Sequence, residues 1–228
     1  HPGSTSYIFD SKKYAHMAAR TAVKDALERR GKNAEVLDTG LSGALRIRYR
    51  IDDEAKVSII IPYKKNYDLV KRCLTSLFTN TSYDNYEIIL VDNGCKETDL
   101  NRFVQKIIER RKNIKLIHYR QSFNFSKINN LAVKKAKGEY LLFLNDDIEV
   151  LHEGWLKEML SHAQRKDVGI VGAKLLFPDN RIQHYGVITG VKGGAAHLLY
   201  GKDERTIANK NRLDILRESN AVTAACMM

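Results

Sequence analysis

Cysteine and proline are scarce: the 228 residues hold three of each. The cysteines, Cys73, Cys95 and Cys226, are odd in number, far apart and in no Cys-x-x-Cys pair. That excludes a disulfide framework and a structural zinc site, and it suits the reduced thiols of a cytoplasmic protein. Three Pro and 14 Gly exclude a fibrous or low-complexity chain. Apolar runs such as Val57–Ile61 and Tyr140–Leu144 fall far short of the ~20 residues a bilayer span needs. Ser4 to Arg30 is charged and helical in pattern, which is not the pattern of a signal peptide. No Gly-x-Gly-x-x-Gly follows the first buried strand, no Walker loop is present and no Gly-x-Ser-x-Gly occurs. Dinucleotide-dependent dehydrogenases, P-loop proteins and serine hydrolases of the elbow type are therefore set aside. Aromatics make up only 8% and no RNA or DNA motif is found, so no nucleic-acid partner is expected.

Positive charge is abundant. Lys and Arg number 38 against 27 Asp and Glu, for a formal net charge of +11. Such a surface draws nucleic acid, anionic membrane or phosphorylated small molecules. The charge is clustered at Lys12, Lys13, Arg29, Arg30 and Lys32, at Lys106, Arg110, Arg111 and Lys112, and at Lys134, Lys135 and Lys137. Solvated helix faces account for such clusters without any partner.

The hydrophobic pattern predicts a helix over 11–31, with Tyr14, Met17, Ala18, Ala22, Ala26 and Leu27 as its apolar stripe and Gly31 as its stop. Short strands are expected at 34–37 and 44–51, and Asp52-Asp53-Glu54 reads as a polar joint. From Val57 the texture changes: 57–61 is a near-continuous β-branched run, expected of a strand buried on both faces, and further strands are expected at 86–91, 114–119 and 139–144. They alternate with helices at 69–78, 100–111 and 127–137, and Pro62 is expected to end the first strand. Strict strand–helix alternation with short links implies an α/β fold, a mostly parallel sheet with helices on both faces. A helical and strand arm, residues 1–56, leads into a domain at 57–228.

Ligands of such sheets bind beyond the carboxyl ends of the strands. Those ends read Pro62-Tyr63-Lys64-Lys65, Asp92-Asn93-Gly94, Asn124-Phe125-Ser126-Lys127 and Asn145-Asp146-Asp147. Adjacent carboxylates repel unless a cation lies near. Hard oxygen donors at that place suit Mg2+ or Mn2+ held by one or two carboxylates and a substrate phosphate. Without a glycine-rich cradle, a bound cation is the remaining means of meeting phosphate charge. The alternative for the two acids is capping of the next helix, expected near Leu151 or His152.

The segments Val57–Pro62, Tyr86–Gly94, Phe125–Asn130 and Gly138–Asp147 resemble family 2 glycosyltransferases. The resemblance continues through Gly154-Trp155-Leu156, Val168–Leu175, Ile182–Gly186 and Ala221–Cys226, and so covers residues 57 to 228. It implies the GT-A fold and sugar-nucleotide use. The implied activity is bacterial polysaccharide or cell-surface glycan synthesis by an inverting, hexosyltransferase-type enzyme.

By this resemblance Pro62, Tyr63 and Asp92 line the nucleotide base, and Ser126, Lys127 and Asn130 face base and ribose. Asn145 belongs to the same nucleotide-sugar site, and Asp146 touches ribose or metal. Asp147, last acid of an Asp-x-Asp-like motif, holds a divalent ion, Mn2+ or Mg2+, on the diphosphate. A late histidine serves as a metal ligand in some members, which makes His197 a candidate; it also reads as an ordinary loop or core histidine. His184 reads as a core residue and Trp155 as a helix anchor.

Departures from the family pattern at Tyr63-Lys64-Lys65 and Asn124 leave base and sugar open. The general base of the family lies beyond a segment like Ala221–Cys226, so it is expected past Met228, and no catalytic base is assigned within the chain. The chain therefore reads as a fragment with the donor half and part of the acceptor half. His1 to Ser4 reads either as connector or as a cloning remnant. Expected partners are a nucleotide diphosphate sugar and a glycan or lipid-linked acceptor, at the inner face of an anionic membrane. A non-catalytic sugar-nucleotide-binding module and a basic nucleic-acid-binding domain are the alternative classes.

Overall fold

The computed structural model describes residues 13–39, 44–51, 55–191, 193–205 and 215–228. The polar joint at 52–54 and the residues before Lys13 lie outside the described residues. The chain forms two compact units, one of residues 51–173 with 222–228 and one of residues 1–50 with 174–221.

In the larger unit, the buried runs form β3 (Val57–Tyr63), β4 (Tyr86–Asp92), β5 (Ile114–His118) and β6 (Tyr140–Leu144). Between them stand α2 (Tyr67–Thr79), α3 (Thr98–Arg110) and α4 (Phe125–Val133), and α5 (Trp155–Ala163) follows β6. A late two-residue strand, β11 (Cys226–Met227), completes a sheet of order β11-β6-β3-β4-β5. β3, β4, β5 and β6 are parallel, and β11 is antiparallel to β6. The mostly parallel α/β sheet expected from the alternation is thus the observed one.

Alternation along the strands sends side chains to two layers. Ile60, Ile89 and Val91 pack with Tyr119 and with Ile128 and Ala132 of α4. Ile59, Ile61, Ile88 and Leu90 alternate with them, and the buried α2 and α3 residues Val70, Leu74, Leu77, Leu100 and Val104 complete the core. At about 1.5–3 kcal/mol per buried aliphatic side chain, these layers dominate the stability of the unit.

Two expectations are corrected here. Pro62 does not end β3, because the ladder to β4 runs on to Tyr63↔Asp92. The ladder to β6 stops at Ile60↔Phe143, so beyond that point no bond on that side needs the N–H that proline lacks. α4 begins at Phe125 and ends at Val133 rather than spanning 127–137. Asn124 caps it by accepting the Lys127 N–H at 3.0 Å. The apolar segment after Ala221 is explained by β11. Asn145 N–H donates to the Ala225 carbonyl at 2.9 Å, and Val171 and Met228 exchange backbone bonds at 2.8 and 2.9 Å. Those residues cover the edge of β6.

In the other unit, α1 (Lys13–Arg29) stands with an antiparallel pair, β1 (Ala34–Asp38) and β2 (Leu45–Tyr49). The expected apolar stripe is not the packed face. Tyr14 and Met17 are 77% and 57% exposed, Ala18 and Ala22 are exposed, and Leu27 is buried. Asp38 sets the rotation of the helix, with His16 Nε2 at 2.8 Å and Arg20 Nη1 at 3.2 Å. Two strands are too small a partner to cover the whole stripe. The same unit holds β7 (Leu175–Leu176) paired with β8 (Ile182–His184), and β9 (Val187–Val191) paired with β10 (Gly194–His197).

Candidate functional site

The carboxyl ends of the parallel strands supply the polar groups that the sequence placed there. At the end of β6, Asn145 and Asp146 are half-buried and Asp147 is exposed. The Ile148 N–H bonds back to the Asn145 carbonyl, which turns the chain sharply after the strand. Burial, and then the charge of Asp147, push the Asp146 carboxyl up to about 6. Neither acid has a cationic partner within salt-bridge reach among the described residues. Nor do they cap the following helix. α5 starts at Trp155 with Gly154 as its N-cap and no capping side chain, and Trp155 anchors it through Nε1 to Thr81 Oγ1 at 2.9 Å.

These observations test the acidic pair against a divalent ion. Two adjacent carboxylates, one raised by burial and then by its neighbour, gather negative charge that no described cation balances. The donors are hard oxygens. Among the described residues no three His, Cys, Asp or Glu side chains cluster as a metal cage. Two carboxylates are a partial shell, of the kind that Mg2+ or Mn2+ complete with phosphate and water. The pair fits the ion.

β3 and β4 end side by side. Tyr63 and Asp92 are register partners, and Tyr63 is buried. Burial, and then Asp92 and Cys95, raise its phenol so far that it stays neutral. Pro62 is half-buried beside it. Asn93 donates its own N–H to the Tyr63 carbonyl at 2.9 Å. Its Nδ2 reaches the carbonyls of Tyr119 and Gln121 at 3.3 and 3.2 Å. Asn93 thereby ties the loop after β5 to the sheet, and its Oδ1 is buried without a partner among the described residues. Gly94, at φ 78°, makes the turn that follows. Glu97 accepts the N–H groups of Asn66 and Tyr67 at 2.7 and 3.1 Å, which places a carboxylate at the N-terminus of α2.

Ser126, Lys127 and Asn130 lie exposed on the first turns of α4. Lys127 and Asn130 line a cavity of about 450 Å³ together with His118, Arg120, Gln121 and Lys134. The sequence reading does not point to His118 or Arg120, and it offers Lys134 only as one member of a charge cluster. The signal was present, because His118 is the last residue of β5 and strand carboxyl ends are where such sheets bind. The sequence reading took the polar loop at 124–127 as that end instead.

His197 lies in the other unit. Its Nδ1 meets Nδ1 of His184 at 2.9 Å, with the rings edge to face. His184 is buried as expected, and burial, then His197, push it down to about 4.

An open, mostly parallel sheet with an acidic pair and a cationic cavity along its carboxyl edge is the architecture of a GT-A glycosyltransferase. Residues 58–219 match the family model for glycosyl transferase family 2, and the chain belongs to that family.

An uncharacterised protein of Sinorhizobium fredii is 37% identical over 230 residues, covering 100% of this chain and 25% of that protein. The O-antigen biosynthesis protein RfbC of Myxococcus xanthus is 38% identical over 94% of this chain and 17% of its own length. A poly(ribitol-phosphate) beta-glucosyltransferase of Bacillus spizizenii is 37% identical over 45% of this chain and 16% of its own length. The chain thus spans a quarter or less of these relatives. Among solved structures, a mannosyltransferase from Pyrobaculum calidifontis, in complex with GDP-Man and Mn2+, shares the fold. It has a TM-score of 0.52 and 14% identity, over 94% of this chain and 66% of that one. No described helix is long and apolar enough to cross a membrane.

Proposed function

We propose that the chain is the donor-binding part of an inverting, hexosyltransferase-type enzyme. It would move a sugar from a nucleotide diphosphate sugar to a glycan or lipid-linked acceptor. The observation that carries this reading is the Asp146–Asp147 pair, unbalanced by any described cation and set at the carboxyl edge of a family 2 sheet. Asp147 and Asp146 would hold Mn2+ or Mg2+. When bound, the ion supplies Lewis-acid stabilisation of the leaving diphosphate.

The chain's own residues do the rest. Lys127, at the capped start of α4, offers a cation and the helix N-terminus to phosphate or ribose oxygens. Asn130 and Ser126 offer hydrogen bonds on the same face. Pro62, Tyr63, Asp92 and Asn145 shape the base and ribose end. No residue of this chain is assigned as the general base. The kinship with an O-antigen biosynthesis protein and a poly(ribitol-phosphate) glucosyltransferase supports a bacterial surface-glycan acceptor. The net charge of +11 supports work on the cytoplasmic side, against an anionic membrane surface.

Calorimetric titration of the chain with UDP, GDP and dTDP, with and without Mn2+, tests the reading. Mn2+ is the first ion to try, because it accompanies the mannosyltransferase that shares this fold. At least one nucleotide should bind, with a Mn2+-dependent gain that Asp147→Ala abolishes. No binding under any of these conditions, or a gain untouched by Asp147→Ala, overturns it.

A further inference from the structure

Asp92 is the residue expected at the base, yet its carboxylate is already committed. Oδ1 accepts the Cys95 N–H at 2.6 Å and Oδ2 lies 2.9 Å from His118 Nδ1. The Asp92 side chain is 6% exposed, while that of His118, its register partner across β4 and β5, is 48% exposed. His118, not Asp92, lines the cavity of about 450 Å³ between the end of β5 and α4. We propose that His118 reads the base of the donor nucleotide and that Asp92 is its positioning residue. This rests on the donor-site reading above.

The chemistry follows from the hydrogen bond. A carboxylate has no proton to give, so the hydrogen between Asp92 and His118 sits on Nδ1. With Nδ1–H turned to Asp92, the imidazole in its neutral form presents the Nε2 lone pair, which no described hydrogen bond engages. An acceptor held at that place matches an imino N–H. Uracil and thymine carry one at N3 and guanine carries one at N1. The corresponding ring nitrogens of cytosine and adenine are acceptors and meet the Nε2 lone pair unfavourably. A site built to take one hydrogen bond rejects a partner that lacks the hydrogen.

The strand order sets the reach. β5 and β6 are separated by β3 and β4, which is three strand spacings or roughly 14 Å. That span suits a nucleoside diphosphate with its base at His118 and its phosphates at Asp147.

The test is a binding panel of UDP, dTDP, GDP, CDP and ADP with Mn2+, read by calorimetry, on the wild-type chain and on His118→Phe, His118→Gln and Asp92→Asn. Wild type should bind at least one of UDP, dTDP or GDP ten-fold or more tighter than CDP and ADP. His118→Phe should weaken the best ligand at least ten-fold and level the panel. His118→Gln, which restores an acceptor oxygen, should recover much of the preference. Asp92→Asn can donate to Nδ1 and free the other tautomer, so it should narrow the preference ratio even where the fold is intact by circular dichroism. A merely structural Asp92 would lower all affinities alike. A wild type that prefers CDP or ADP, or a His118→Phe panel with unchanged ratios, overturns this inference and leaves the donor reading standing. A wild type that binds none of the five overturns both.

Discussion

The Cys73 thiol donates to the carbonyl oxygen of Asn145 at 3.6 Å, which sets a buried sulfur at the root of the acidic pair. Burial first, then Asp146, Asp147 and Cys226, push that thiol up to about 12. Burial alone does the same to Cys226. At pH 8 neither is a thiolate, and only the thiolate reacts. A disulfide exchange reagent should therefore label one thiol of the native protein, Cys95, which is half-buried, and all three in denaturant. Peptide mapping that finds Cys73 labelled before Cys95 contradicts this packing.

Asp146 ties stability to pH in the opposite sense from most carboxylates. Its carboxyl is raised from 3.8 to about 6. The native state therefore holds more protons than the unfolded state in that window, and stability falls as pH rises through it. Asp146→Asn should raise the stability of the metal-free protein at pH 7 by about 1 kcal/mol, after allowance for its partial exposure. The stabilising effect of Mn2+ should fade as pH drops below about 6, because the ion needs the carboxylate. Thermal melts from pH 4.5 to 7.5, with and without Mn2+, measure both. A lower melting point for the Asn variant at pH 7 would falsify the assignment.

Glu87 behaves in the usual sense. It accepts from Ser58 Oγ at 2.8 Å, Lys115 Nζ at 2.7 Å and the Lys137 N–H at 2.5 Å. Burial pushes its carboxyl up, but these three donors outweigh it and hold it below the usual range. Its stabilisation is present above the unfolded value and is lost as pH falls through the folded one. Glu87→Gln should cost on the order of 2 kcal/mol at pH 7 and less at pH 4, read by urea unfolding. An equal cost at both pH values would mean that the charge contributes nothing.

Gly138 leaves no room for a methyl group. A Cβ there would lie 2.5 Å from the Ser58 nitrogen and 2.7 Å from the Lys56 carbonyl oxygen, both backbone atoms. Gly138→Ala must part β3 from the turn into β6, at a cost on the order of 2–3 kcal/mol. Gly154→Ala meets nothing within 4 Å and serves as the control. Similar melting points for the two variants would disprove the close approach.

How far local pattern reaches is visible in single elements. The strands β3, β4 and β6 are legible because buried parallel strands are short, nearly continuous apolar runs, rich in β-branched residues in β3 and β4 and in leucine and aromatics in β6. The start of α4 was missed by two residues because the 3.6-residue period does not mark the cap, which is set by one side chain, Asn124. The face of α1 was misread because hydrophobicity favoured Tyr14 and Met17, while the rotation follows the polar contacts of His16 and Arg20 with Asp38.

From sequence alone follow the alternation of strand and helix and the polar residues at the strand ends, Asn145-Asp146-Asp147 above all. Both depend on residue type and short spacing, which neighbours in the chain settle among themselves. Only the tertiary structure decides that β5 lies beside β4, so that Asp92 spends its carboxylate on His118 and Cys95 and it is His118 that opens to the cavity. It also decides that residues 226–227 return to cover β6. Those outcomes rest on which distant segments share a ladder, and no local period encodes that.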